Sequence, residues 1–161
     1  MGEDGKDNNN NKTCFIRRNK ENEKRMGKMV KVGFDTSFFV ELYKKNKIAV
    51  KLWLEVTEGE KKGIISMITV FELRRLALRG IISKEFCNAL FEAFREGVCE
   101  ARELNWEVLE EAALLSYETG ISAVDSLIYI CCKDCTEIYT TDNDFLKVGK
   151  KKPKVILIER Q

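Results

Sequence analysis

The feature that most constrains this chain is a repeated alternation between short segments of strand character and longer amphipathic segments. Strands are predicted at five places, 30–34, 63–66, 100–104, 137–140 and 154–158. Helices are predicted between them, at 37–45, 49–58, 69–79, from Ser83 onward, at 106–119 and at 126–132. Short strands that alternate with helices are typical of a parallel sheet covered on both faces. We therefore predict an α/β fold, a three-layer α/β/α sandwich.

Residues 1–28 differ in composition from the rest of the chain, and we interpret them as a disordered leader or a tag. They contain an Asp-Asn-Asn-Asn-Asn run at 7–11 and eight basic against five acidic residues. The remaining segment, 29–161, has the length of one domain and carries 20 basic and 21 acidic residues. Binding of nucleic acid must therefore depend on local patches. One candidate is a lysine run that is equally well read as a solvated loop: Lys147, Lys150, Lys151, Lys152 and Lys154.

The residue types present limit the chemistry and the compartment. The chain has no histidine, which excludes Ser-His-Asp and Cys-His nucleophiles and imidazole metal ligands. Cys132 and Cys135 are spaced Cys-x₂-Cys, but no second such pair exists, so we predict buried thiols there, with Cys131, instead of a zinc site. A disulfide between Cys87 and Cys99 stays open. No apolar run of about 18 residues or signal-type N-terminus is present, and we expect a cytoplasmic protein without a membrane span.

Five acidic residues lie where a parallel sheet would form a site. Asp35 follows the first predicted strand, Glu72 lies early in the helix after the second, and Asp125 lies at a helix start. Asp142 and Asp144 follow the strand at 137–140. Ligands bind at the carboxyl ends of parallel strands, so these carboxylates should meet at one edge. Each acid taken singly is equally well a helix cap, a turn residue or a surface residue.

Gathered carboxylates repel one another, and a hard divalent cation such as Mg²⁺ or Mn²⁺ is their natural partner. Such ions can activate water and stabilise the leaving oxygen in phosphodiester hydrolysis, a mechanism that requires no histidine.

Four motifs in order resemble the PIN-domain family, and the VapC-type toxin ribonucleases most closely. They are VGFDTSFF at 32–39, ISMITVFEL at 65–73, SAVDSLI at 122–128 and YTTDNDF at 139–145. The resemblance spans about residues 30–158 and implies a central five-stranded parallel sheet and a Mg²⁺- or Mn²⁺-dependent endoribonuclease. Carried over by motif, the catalytic acids are Asp35, Glu72, Asp125 and Asp142, and the metal ligands are Asp35, Asp125, Asp142 and Asp144. The supporting residues are Thr36, Ser37 and Thr141.

The resemblance also implies an RNA substrate, a homodimer and, for a toxin, a cognate antitoxin; a role in RNA processing stays open beside the toxin role. Two alternatives remain. A Toprim-like phosphotransfer site would use Glu72, Asp142 and Asp144 but leave Asp35 and Asp125 without a role. A catalytically inactive PIN-like module would only bind RNA or protein.

Overall fold

The computed structural model describes residues 29–161, and the predicted leader at 1–28 lies outside the described residues. Its strands are β1 (Lys31–Phe34), β2 (Lys62–Ser66), β3 (Cys99–Arg102), β4 (Glu137–Thr140) and β5 (Lys154–Leu157). They form one sheet in the order β3-β2-β1-β4-β5, and every neighbouring pair is parallel. The predicted α/β fold with a central five-stranded parallel sheet is confirmed.

The helices of the described region begin at polar capping residues. They are α1 (Thr36–Tyr43), α2 (Lys47–Thr57), α3 (Met67–Leu78), α4 (Lys84–Arg95), α5 (Trp106–Thr119) and α6 (Ala123–Cys131), with a 3-10 helix at Asn143–Val148. Before each α-helix, one side chain accepts a hydrogen bond from a free backbone N–H, at Asp35, Asn46, Ser66, Ser83, Asn105 and Ser122. Each helix begins directly after its capping residue, and several helices therefore start a few residues before the predicted position. The 3-10 helix was not predicted.

Helices cover both faces of the sheet, and the strands alternate between the two cores as their period of two requires. Val32 and Phe34 face a core built with α1 to α4. Ile64 and Ile138 face a second core built with α5, α6 and the 3-10 helix. On that second face, a Cβ at Gly33 would lie 2.6 Å from the Sγ of Cys132, so the close approach of α6 to β1 requires glycine.

The cysteines and aromatic residues are mainly core residues. Cys131, Cys132 and Cys135 are buried, as predicted. Cys87 and Cys99 are buried free thiols, so no disulfide joins them. Aromatic side chains from α1 and α4 pack into the first core, at Phe38, Phe39, Phe91 and Phe94. Within residues 29–161, no helix is long and apolar enough to cross a membrane.

Candidate active site

The strand order creates a crevice at the carboxyl ends of β1 and β4. The chain passes from β1 to β2 and β3 on one side, then returns to place β4 and β5 on the other side of β1. Parallel sheets bind ligands at such a switch point. Asp35 directly follows β1, and Asp142 is the second residue after β4. The topology therefore places these two acids, one before α1 and one before the 3-10 helix, on either side of the crevice.

Asp35 is the most firmly held of these acids, with 5% of its surface exposed. Its Oδ1 accepts the backbone N–H of Thr36 at 2.7 Å. Its Oδ2 accepts the hydroxyls of Ser37 at 2.6 Å and Thr140 at 2.7 Å. Burial raises the pKa of Asp35, the Ser37, Thr140 and Thr36 donors oppose that rise, and repulsion from Glu72 adds to it. The donors fix the orientation of a carboxyl group that resists ionisation.

Ser37 and Thr140 also join the start of α1 to the end of β4. The backbone N–H of Thr141 donates to the Ser37 hydroxyl at 2.9 Å, and that of Asp142 donates to the Thr140 hydroxyl at 3.0 Å. Ser37 thus contacts both Asp35 and the segment that carries Asp142. Thr140 was not predicted as a site residue, because its bond to Asp35 depends on the pairing of β4 with β1.

Glu72 and Asp125 form the half-buried side of the crevice. Glu72 lies in the second turn of α3, which begins at Met67. Its Oε1 accepts the hydroxyl of Thr36 at 2.6 Å. Desolvation raises the pKa of Glu72; the Thr36 hydrogen bond opposes that rise, repulsion from Asp125 adds to it, and attraction to Arg75 opposes it.

Asp125 lies in the first turn of α6, where Ser122 and not Asp125 is the cap. Desolvation raises the pKa of Asp125 to about 6 from an ordinary 3.8, and repulsion from Asp35, Asp142 and Asp144 contributes. The Ser122 hydroxyl opposes this rise. The five predicted acids therefore interact electrostatically although they come from different segments.

Asp142 and Asp144 lie at the open side of the crevice. Asp142 caps the 3-10 helix, because its Oδ1 accepts the backbone N–H of Asp144 at 2.9 Å. Asp144 is exposed and pairs with Lys147 at 3.0 Å. Lys147 is one of the five lysines of the predicted patch, and Lys151 of the same run lies 3.5 Å from the carboxylate of Glu118. Two members of that run are thus in ion pairs with exposed acids.

The donor set fits a hard divalent cation. Within residues 29–161, none of the ion pairs includes Asp35, Glu72, Asp125 or Asp142. Carboxylate oxygens are the ligands that Mg²⁺ and Mn²⁺ prefer. In the same residues, no three acidic or cysteine side chains converge tightly enough to form a finished ion cage. The carboxylates share one crevice and have the right chemistry, but their side chains are spread apart, as mutual repulsion favours.

Comparisons with known proteins bear on the fold and the family. A model described as PIN domain matches residues 33–151. No curated protein matches the sequence. A chain of a toxin-antitoxin complex from Klebsiella pneumoniae is 19% identical, with a TM-score of 0.59, over 78% of this chain and 95% of that one.

Two further solved structures share the fold. For VapBC2 from Rickettsia felis bound to a DNA fragment from its promoter, the identity is 15% and the TM-score 0.62, over 80% of this chain and 98% of that one. For DNA-bound VapBC from Salmonella typhimurium, the identity is 19% and the TM-score 0.58, over 80% and 98%. These identities show likeness of fold alone. The match of the family model over most of the described domain confirms the resemblance read from the four motifs: this chain belongs to the PIN-domain family.

Proposed function

We propose that residues 29–161 form a divalent-metal-dependent endoribonuclease that hydrolyses RNA phosphodiester bonds. The observation that carries this proposal is the crevice at the β1/β4 switch point. Four carboxylates from four segments lie near enough there to repel one another, and none has a basic ion-pair partner in the described region: Asp35, Glu72, Asp125 and Asp142. The family membership supports the same reading.

Asp35, Asp125, Asp142 and Asp144 are the residues we propose to hold Mg²⁺ or Mn²⁺. When bound, such an ion polarises the phosphate and makes a water molecule a better nucleophile. Glu72 completes the set of catalytic acids. Its carboxylate is oriented by the Thr36 hydroxyl and can accept a hydrogen bond from water in the crevice.

The supporting residues hold the acids in place. Ser37 and Thr140 orient the buried carboxylate of Asp35, and through backbone contacts they fix the start of the segment that carries Asp142. Preorganised groups need little rearrangement when the phosphate arrives, which is the main protein contribution in phosphoryl chemistry. The Thr141 side chain contacts a basic residue of the C-terminal segment, Arg160.

Cleavage of RNA by purified protein tests the proposal. A panel of single-stranded and structured RNAs is incubated with Mn²⁺, Mg²⁺ or EDTA, beside an Asp142→Asn variant. The matched control is Glu60→Gln, which removes an exposed carboxylate from the turn before β2, at the opposite edge of the sheet. We expect metal-dependent cutting by the wild type and by the control, and none by Asp142→Asn. Equal cutting by Asp142→Asn and the wild type would refute the site.

The same assay separates the enzyme from a binding-only module. Binding of Mn²⁺ followed by titration calorimetry should be lost or weakened in Asp142→Asn and retained in Glu60→Gln. A protein that binds RNA but neither binds Mn²⁺ nor cuts would fit the inactive module instead.

The Toprim-like alternative has lost its support, since the chain is a PIN domain and since Asp35, which that site would leave unused, is the most buried and most hydrogen-bonded acid of the crevice.

We further propose that the protein acts in the cytoplasm as the toxin of a toxin-antitoxin pair and forms a homodimer. Similar folds in toxin-antitoxin complexes support an antitoxin partner. Exposed apolar side chains along α5 support a second copy, among them Tyr117 with 89% of its surface exposed. Induced expression in a bacterial host should arrest growth for the wild type but not for Asp142→Asn. Light scattering of the purified protein should give twice the 18.6 kDa monomer mass.

A further inference from the structure

A basic residue lies beside the acidic crevice on a segment that the PIN family model does not cover. That model ends at residue 151, whereas Arg160 follows β5. Together with Glu159 and the end of β5, Arg160 forms one wall of an open concavity of about 440 Å³. The other wall consists of Thr141, Asp142 and Asn143. Arg160 therefore lies across this concavity from Asp142, which is proposed as a metal ligand. The concavity is open to solvent, so a strand of another molecule can enter it.

The guanidinium is anchored at one end and available at the other. Its Nε donates to the Thr141 hydroxyl at 3.3 Å. The backbone N–H of Thr141 donates in turn to Ser37, which donates to Asp35, so the anchor is continuous with the acidic site. In the described part of the chain, the two terminal nitrogens of Arg160 make no hydrogen bond or ion pair. Those nitrogens carry four N–H donors in a planar fork.

The backbone on both sides of Arg160 is fixed by the end of α1 and the turn after it. The carbonyl of Glu159 accepts the side-chain N–H of Asn46 at 2.9 Å. The N–H of Gln161 donates to Glu41 at 3.0 Å, and the Gln161 carbonyl accepts from Lys44 at 3.0 Å. Glu41 is only 1% exposed, so this contact is an internal one. Three contacts from α1 and its following turn thus set the position from which Arg160 projects.

Burial of the Glu41 carboxylate needs compensation, and the C-terminal segment supplies one of its three hydrogen-bond donors. Burial alone would raise the pKa of Glu41, but hydrogen bonds from Gln161, Lys44 and Asn46 lower it on balance. The bond from Gln161 to Glu41 and the placement of Arg160 are therefore coupled, because the two residues are adjacent in one short segment.

An RNA strand entering this site meets a strongly acidic surface. Its phosphates are repelled by the carboxylates, and a cation held by those carboxylates would offset this at the phosphate that it contacts. An arginine fork binds the oxygens of a neighbouring phosphate in two parallel hydrogen bonds. We propose that Arg160 is a substrate-binding residue that takes a backbone phosphate of the RNA strand beside Asp142. This inference rests on the proposed nuclease function and adds the position of one substrate contact to it.

Binding of a fluorescein-labelled, mixed-sequence single-stranded RNA oligonucleotide tests the proposal without cleavage. Fluorescence anisotropy in EDTA over a range of KCl concentrations compares the wild type with Arg160→Ala and Arg160→Lys. The control is Arg95→Ala, which removes an exposed arginine from the last residue of α4, near the amino end of β3 and away from the acidic crevice. Loss of one phosphate contact should weaken binding by about tenfold and lower the slope of log K against log salt by about 0.7.

The variants separate charge from geometry. Arg160→Lys should keep the salt slope and lose part of the affinity, because lysine is a point charge without the fork. Arg95→Ala should match the wild type in both quantities. The unfolding midpoint of Arg160→Ala should stay close to that of the wild type, since the side chain is exposed and makes one hydrogen bond.

Failure of this inference differs from failure of the nuclease proposal. If Arg160→Ala and Arg95→Ala have the same affinity and salt slope, or if the wild type does not bind the oligonucleotide, the phosphate contact is refuted even when Mn²⁺-dependent cutting occurs. If the wild type cuts none of the RNAs but Arg160→Ala lowers the salt slope, the phosphate contact stands and the nuclease proposal falls. With cutting present, Arg160→Ala should raise KM more than it lowers kcat.

Discussion

Neutralising Asp125 should make the metal-free protein more stable while removing its proposed activity. Asp125 lies in a crevice where burial and three neighbouring carboxylates oppose its ionisation, and its pKa is about 6 instead of 3.8. Since the folded pKa is above the unfolded one, the folded state is favoured by protonation. The destabilising effect is absent below about pH 3.8, grows up to about pH 6 and is complete above it.

The size of the effect follows from the pKa. Each unit corresponds to about 1.4 kcal/mol, so a shift of roughly two units sets a ceiling near 3 kcal/mol. Asp125 is partly exposed, and solvent screening reduces this to about 1–2 kcal/mol. Asparagine also loses the favourable interaction of a negative charge with the first turn of α6, worth about 0.5 kcal/mol. We expect Asp125→Asn to gain about 1 kcal/mol in the free energy of unfolding above pH 7.

Urea denaturation in EDTA at pH 8 and pH 4, followed by circular dichroism, measures this gain. The gain should be present at pH 8 and nearly absent at pH 4. The control is Glu85→Gln, which removes an exposed carboxylate from the first turn of α4, away from the crevice, and should lower stability slightly at pH 8. An Asp125→Asn protein that is less stable than the wild type by the same amount at both pH values would refute the argument from charge repulsion.

Three further outcomes are expected. Ser37→Ala removes a donor to Asp35 and should raise the pKa of that carboxyl further, so the acid limb of the pH–rate profile for RNA cleavage should move to higher pH. Gly63→Ala places a Cβ 2.6 Å from the Sγ of Cys99 and should lower the free energy of unfolding in urea by about 1–3 kcal/mol. Adding Cys99→Ala should recover part of that stability. If stability does not recover, the contact with Cys99 is not the cause of the loss. Mn²⁺ at about 100 times its dissociation constant should stabilise the wild type by about 2.7 kcal/mol in a thermal shift assay, and Asp142→Asn by much less.

The fold and the general location of the site followed from local patterns. Alternation of strands and helices predicted the parallel sheet, and the rule that ligands bind at carboxyl strand ends selected five acids that lie along one crevice. The alternative role of Asp35 as a helix cap was also correct, and Asp142, for which a turn was the alternative, is a cap as well. Asp35 caps α1 and Asp142 caps the 3-10 helix, while both point into the crevice region. A capping role and a site role are therefore compatible in one side chain.

Other parts depend on contacts between residues distant in sequence and had no local signal. Thr140 reads as an ordinary strand former, and its bond to Asp35 exists only because β4 lies beside β1. Arg160 and Gln161 belong to a C-terminal segment whose placement depends on contacts with α1 and the turn after it. The predicted helix starts were wrong by a few residues because they were read from the spacing of apolar residues, whereas each helix begins directly after its capping residue. For example, α3 begins directly after Ser66 and not at residue 69. Whether the predicted acids are the working residues stays a prediction until cleavage is measured.

The strand order has a consequence for the order of events during synthesis. The central strand β1 is made before the other four, yet one of its two neighbours, β4, follows about a hundred residues later. Asp35 receives the Thr140 hydroxyl from a position 105 residues further along the chain. A nascent chain that ends before β4 therefore has its first acid but neither the Thr140 donor nor Asp142. If the protein is a ribonuclease, the growing polypeptide is harmless to the RNA around it until nearly the whole domain has left the ribosome and folded.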